Sequence, residues 1–231
     1  MQTKHFETDG LEYLVVEPVG YQKNKAYPLI IMLHGYLSYM GDLATLAESI
    51  SPNRYLYAFP NAPIPVPMGT QTLGYAWSNP PESDFDPAGT TEQLLDKFLE
   101  DLISRYTVSE GRLVLGGFSQ GGMMAFRHGL SRPDIFCGLI CLSTRIPEFQ
   151  HTVIRLPTKR DQRIFLAHGS HDTVIPLSEG LKAREFLVSY GFSPDYHEYN
   201  IAHEITTEVI YDLRLWLNET LGETELKDPD S

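Results

Sequence analysis

Seven residues, Gly116-Gly117-Phe118-Ser119-Gln120-Gly121-Gly122, limit what this chain can fold into more than any other stretch. The apolar segment Arg112-Leu113-Val114-Leu115-Gly116 runs straight into them, and Met123-Met124-Ala125-Phe126 continues with helix-like character. Strand, sharp turn and helix in that order place Ser119 at the corner, its oxygen exposed and the first N–H groups of the helix beside it. Gly117 and Gly121 leave room where a Cβ would crowd the neighbouring strand or helix. This is the nucleophile-elbow pattern; the bland alternative is a serine that merely caps the helix.

A serine hydroxyl is a weak nucleophile at neutral pH and needs a base and a group to orient that base. Two later segments supply candidates. Phe165-Leu166-Ala167-His168-Gly169-Ser170-His171-Asp172 is an apolar strand running into a loop that holds Asp172, and His203 follows the strand-like Asp195-Tyr196-His197-Glu198-Tyr199-Asn200. Alone, Asp172 reads as a turn residue and His203 as an ordinary loop histidine. Together with Ser119 they give the chain order Ser, Asp, His, each at a strand end, which is the order of α/β-hydrolases. The expected catalytic residues are therefore Ser119, Asp172 and His203.

Such chemistry also needs an oxyanion hole. One backbone donor is expected from Gln120, the residue after the nucleophile. The other is expected from Tyr36, because Leu29-Ile30-Ile31-Met32-Leu33 runs into His34-Gly35-Tyr36-Leu37 and Gly35 permits a tight bend there. His34 reads as a buried, hydrogen-bonded residue that fixes this loop.

His34-Gly35, Pro60-Asn61-Ala62-Pro63, Trp77, the Gly-Gly-Phe-Ser-Gln-Gly-Gly run, His168 to Asp172 with Val174-Ile175-Pro176, and His203-Glu204 together resemble the phospholipase/carboxylesterase family, over about residues 27 to 218. The resemblance implies a carboxylesterase or thioesterase with the triad and oxyanion donors named above. The chain departs from the family at Leu37, where a glycine is usual, and at Ser78, where an aromatic commonly follows the tryptophan. Those departures leave the hydrolytic chemistry and bear on the shape of the acyl site.

Strands are predicted near 11–17, 29–33, 55–59, 112–116, 136–142, 163–168 and 195–200. Helices are predicted near 42–50, 91–106, 120–130, 178–190 and 205–219. The alternation predicts a mainly parallel central sheet with helices on both faces and a ligand site beyond the carboxyl ends of the strands; the Ser, Asp, His order and the family resemblance imply that this is an α/β-hydrolase fold. A length of 231 residues suits one domain over 1–221, with 222–231 a frayed acidic tail and no separate cap domain. Residues 60–89, rich in proline and glycine, show no sustained period and read either as a wall over the site or as a packed surface loop. The candidates for lining an acyl groove are Leu37, Trp77, Val174 and Ile175.

A formal charge of −12 opposes nucleic acid and anionic membranes as partners. No run reaches the roughly 18 apolar residues of a membrane span, and the amino terminus carries no apolar signal region, so a cytoplasmic protein without stable membrane insertion is expected. Cys137 and Cys141 would lie about 13 Å apart along a strand, too far to pair. The His168, His171 and Asp172 cluster lacks a third ligand set of zinc-like spacing, so neither metal nor cofactor is expected. The substrate read from these residues is a small-molecule ester or thioester; a serine peptidase and a non-catalytic binding homologue are the alternatives. Oligomeric state has no signature in the sequence.

Overall fold

The computed structural model describes residues 1–8, 10–68, 70–78, 90–147 and 156–222. The acidic tail from 223 onward and residues 79–89 of the proline-rich segment lie outside these. Among the described residues eight strands form one sheet: β1 (Gln2–Thr8), β2 (Leu11–Glu17), β3 (Tyr27–Leu33), β4 (Leu56–Pro60), β7 (Val108–Phe118), β8 (Gly138–Leu142), β9 (Arg163–Gly169) and β10 (Asp195–Tyr199). Their spatial order is β1-β2-β4-β3-β7-β8-β9-β10. The β1–β2 and β2–β4 pairs are antiparallel, and every pair from β4 to β10 is parallel.

The central strands are buried on both faces, which explains their unbroken apolar sequence. Leu29, Ile31 and Leu33 of β3 join Leu113 and Leu115 of β7 on one face; Ile30, Met32 and Val114 join the other. Helices α2 (Thr90–Arg105), α3 (Gln120–Gly129) and α4 (Leu177–Ser189) cover the first face. The second is covered by α1 (Leu46–Ile50), the 3₁₀ turn Leu43–Thr45 before it, and α5 (Thr207–Leu221), whose Leu213, Trp216 and Leu217 are buried. The chain leaves β3 for β4 on one side and returns to β7 on the other. Ligands in such sheets bind where the order reverses, here beyond the carboxyl ends of β3 and β7.

Two features depart from the expected elements. Strand β1 is polar and half exposed, an edge strand whose sequence carries no apolar alternation strong enough to announce it. The second lies in the proline-rich segment, where β5 (Ile64–Met68) and β6 (Gln71–Ala76) form a separate antiparallel ribbon. Pro65 and Pro67, two residues apart, aim their missing N–H groups at the same edge of β5, and a two-stranded ribbon has an unpaired edge to accept them. The ribbon docks on the loop after β3: the Leu37 N–H donates to the Tyr75 carbonyl at 3.0 Å and the Tyr75 N–H to the Ser38 carbonyl at 2.9 Å. Gly74 makes the approach possible, since a Cβ there would overlap the Leu37 carbonyl.

Candidate active site

Ser119 sits between β7 and α3 with φ 55° and ψ −118°, a left-handed conformation that non-glycine residues rarely hold. The surrounding backbone fixes it. The Ser119 N–H donates to the Leu142 carbonyl at 2.9 Å, and the Thr144 hydroxyl donates to the Ser119 carbonyl at 2.8 Å. A Cβ at Gly117 would overlap the backbone of Gly121 in α3, and one at Gly121 would overlap the Leu33 carbonyl of β3. Strand, turn and helix therefore approach more closely here than any side chain permits. Among the described residues the non-glycine residues of positive φ are Leu37, Ser119 and Ser143, in the loop after β3, at the elbow, and just past β8 beside it.

Asp172 lies three residues beyond β9 and is buried. Its Oδ1 accepts the N–H groups of Val174 and Ile175 at 2.9 and 2.8 Å, and its Oδ2 accepts His203 Nδ1–H at 2.6 Å. Both carboxylate oxygens are thus engaged by donors, the arrangement an ionised carboxylate favours. His168 helps to hold this loop: its Nε2–H donates to the Ile175 carbonyl at 2.8 Å. With Nδ1 donating to Asp172, the lone pair of neutral His203 resides on Nε2. The His203 ring lies 4.7 Å from that of Phe118, the residue before Ser119. The structure thus joins His203 to Asp172 directly and brings it beside the elbow. Among the described residues Ser119 Oγ and His203 do not share a hydrogen bond, and such contacts commonly tighten only when substrate binds.

On the other side of Ser119, Gly35 is close enough that a Cβ there would stand 3.5 Å from the Ser119 Cβ. The loop that follows is fixed through His34. The Ala62 N–H donates to His34 Nε2 at 3.0 Å, which leaves the proton on Nδ1, and Nδ1–H donates to the Gly35 carbonyl at 2.8 Å. Burial holds the pKa of His34 below its ordinary value of 6.5, so the neutral ring that both bonds require is favoured. Tyr36 follows Gly35, and among the described residues its N–H has no hydrogen-bond acceptor. Gln120 is the first residue of α3, where helix N–H groups have no partner within the helix.

The expected groove residues divide. Leu37 is 38 % and Val174 65 % exposed, and Ile175 is half-buried. Tyr36 and Tyr39 add exposed aromatic surface to the same loop. Trp77 does not line a cleft. It is fully buried in the core, and its indole Nε1–H donates to the His34 carbonyl at 2.8 Å. That corrects the expectation of a substrate contact: the indole N–H must find a partner when buried, and it finds one behind the site. Two further contributions carry no legible signal in the sequence: the side chain of Gln120, which bonds to Trp77 and Ser78, and the Thr144 hydroxyl; Asn61, within the Pro60–Pro63 motif, adds an Oδ1 that accepts the Met40 N–H at 3.0 Å.

A mainly parallel sheet covered by helices on both faces, a strained serine at a strand-to-helix corner, and an Asp–His pair at the next strand ends define an α/β-hydrolase. Among the described residues there is no separate cap domain. Residues 15–221 match the Phospholipase/Carboxylesterase family, and the chain belongs to it; it is a carboxylic ester hydrolase. It is 30% identical over 211 residues to acyl-protein thioesterase 1 of Yarrowia lipolytica, covering 84% of this chain and 92% of that one. It is also 27% identical over 237 residues to acyl-protein thioesterase 1 of Mycosarcoma maydis, covering 91% and 98%. Among solved structures, the esterase PE8 matches with a TM-score of 0.76 at 27% identity, over 90% of this chain and 97% of that one. Acyl-protein thioesterase 2 of Zea mays shows the same fold, with a TM-score of 0.72 at 22% identity over 91% and 99%.

Proposed function

We propose that this hydrolase cleaves carboxylic esters and thioesters through an acyl-enzyme on Ser119. The observation that carries the reading is the 2.6 Å bond from His203 Nδ1 to buried Asp172, set beside a backbone-strained Ser119. His203 Nε2 takes the Ser119 proton as Oγ attacks the carbonyl carbon. The tetrahedral oxyanion is received by the N–H groups of Tyr36 and Gln120. Collapse expels the alkoxide or thiolate, which takes the proton from His203, and a water activated by the same imidazole then releases the acid and frees Ser119. Asp172 holds the tautomer and stabilises the imidazolium. No step calls for a cofactor.

The exposed apolar surface of Leu37 and Val174, with half-buried Ile175, supports an acyl chain lying across the mouth of the site. The relatives named as acyl-protein thioesterases support a thioester among the substrates. We take residues 1–221 as one catalytic domain, a boundary supported by Leu221 at the end of α5 being buried in the sheet core. Among the described residues no helix is long and apolar enough to cross a membrane. Cys137 and Cys141 are free thiols, which suits a reducing compartment and supports a cytoplasmic location.

A fluorophosphonate should label Ser119, and the wild-type chain should turn over p-nitrophenyl esters and acyl thioesters of graded length. Ser119→Ala should stay folded and lose about 10⁴-fold or more in turnover. Near-wild-type hydrolysis by a verified Ser119→Ala preparation would exclude the elbow as the nucleophile.

A further inference from the structure

The two N–H groups assigned to the oxyanion stand on separate turns. The β3–β7 ladder keeps those turns in register as far as Leu33 and Gly117. Beyond that pair β3 ends while β7 runs on to Phe118 against β8, so the β3–β7 ladder no longer sets the gap between Tyr36 and Gln120. One short strip of backbone, residues 75–78, bridges them.

On the β3 side, Tyr75 exchanges hydrogen bonds with Leu37 and Ser38, and the Trp77 indole holds the His34 carbonyl, so Tyr36 is gripped both before and after. On the β7 side, the Trp77 backbone N–H donates to Gln120 Oε1 at 2.9 Å. Gln120 Nε2 donates to the Ser78 Oγ at 3.0 Å and the Ser78 carbonyl at 3.3 Å. The Thr91 hydroxyl of α2 holds the Trp77 carbonyl at 3.1 Å, which anchors the strip from behind. His34, Trp77, Ser78 and Gln120 are all buried.

We propose that the Gln120 side chain and Trp77 are positioning residues that set the spacing of the two oxyanion donors, resting on the catalytic reading above. A packing role alone would be met by an apolar side chain of the same volume. A buried amide used at both ends is instead directional, and losing either partner leaves an unsatisfied group in a low-dielectric interior. Oxyanion stabilisation needs donors fixed before charge develops, and displacement by a fraction of an ångström weakens it without touching ground-state binding. The strip thus acts on the transition state through two groups that never contact substrate.

The test uses the full chain with Gln120→Met, which keeps volume and loses the amide bonds to Trp77 and Ser78, and Trp77→Phe, which keeps a ring and loses the indole donor. Rates are expressed per active site titrated with a fluorophosphonate, and an alkyl trifluoromethyl ketone reports on the oxyanion pocket. Each variant should lower kcat by about 10- to 100-fold with KM within about twofold of wild type. Ketone inhibition should weaken by the same factor as kcat/KM, while inhibition by the carboxylic acid product stays unchanged. A kcat per titrated site within about twofold of wild type in both variants would overturn the proposal. So would a fall in kcat that leaves ketone affinity untouched. If Trp77→Phe does not fold, Gln120→Met and Gln120→Glu are judged by the same two criteria, since the glutamate keeps the acceptor for Trp77 and loses the donor to Ser78. Failure of the wild-type chain to be labelled at Ser119 is a different result: it removes the catalytic reading and this proposal with it.

Discussion

Asp172 and His203 meet through their side chains at the ends of two adjacent parallel strands, β9 and β10. The oxyanion donors proposed at Tyr36 and Gln120 are main-chain groups, and one of the bonds that hold the Gln120 side chain comes from the backbone of Trp77, 43 residues away in sequence. The first arm carries its chemistry in the identity of two residues. The second carries it in where a backbone is held. Damage to the two should therefore look different: abrupt for the acid–base pair, graded and separable into geometry and stability for the oxyanion frame.

The largest effect is expected on the acid–base arm. Asp172→Asn should depress turnover by about 10⁴-fold with little change in melting temperature, because an amide in place of the carboxylate favours the wrong imidazole tautomer. His203→Ala should be comparably damaging, and the double variant should be no worse than either single one. Losses that multiply would show that the two residues do not serve one proton transfer.

The frame should respond in stability. Trp77→Ala removes a fully buried ring and the donor to the His34 carbonyl, and should cost about 3–5 kcal/mol in chemical denaturation while leaving the preference among acyl lengths unchanged. A small stability loss with a shifted length profile would return Trp77 to the cleft wall.

Leu37→Gly should behave oppositely. It relieves a φ of 63° and removes exposed apolar surface at the mouth of the site. Relative kcat/KM across an acyl-length series should change by about 1–3 kcal/mol, with stability kept or slightly raised. An unchanged profile would take Leu37 out of the substrate contacts.

The smallest effect is a slope. Because burial lowers the pKa of His34 in the folded chain, below pH 6.5 the unfolded state binds a proton that the folded state does not. Stability should therefore fall as the pH drops from 6.5 toward the lowered folded value, as the neutral ring bridging Ala62 and Gly35 becomes harder to keep. Unfolding free energies measured across that range should fall more steeply for the wild-type chain than for His34→Gln; parallel curves would mean that His34 does not titrate with folding.

The contrast between the arms also explains what the sequence could and could not announce. β3 and β7 are legible because burial on both faces demands unbroken apolar residues, and Ser119, Asp172 and His203 stand out as the proposed nucleophile, orienting acid and base because those residue types appear in that order at strand ends. Nothing local marks β5, whose prolines argue against a strand until a free ribbon edge is known to exist. Trp77 defeats a sequence reading for a related reason. With no visible periodicity around it, a large ring in an irregular stretch suggests a wall, whereas its partner is a carbonyl at position 34. The Gln120 side chain is the sharpest case, since the backbone-donor role proposed for this residue follows from its place after Ser119 and says nothing of where its amide goes.

The cluster of left-handed backbone at Leu37, Ser119 and Ser143 has a consequence for how such a chain can change. Each conformation costs of order 1–3 kcal/mol, and each persists because tight packing between strand, helix and loop leaves no easier path. Catalytic geometry and folding stability thus oppose one another at the same few positions. Random substitution that hardens the protein will tend to relax those angles and blunt turnover. A lineage that needs both more heat tolerance and undiminished activity must find its gains far from the corner, in the sheet edges and outer helices, leaving the strained centre as the slowest part of the molecule to evolve.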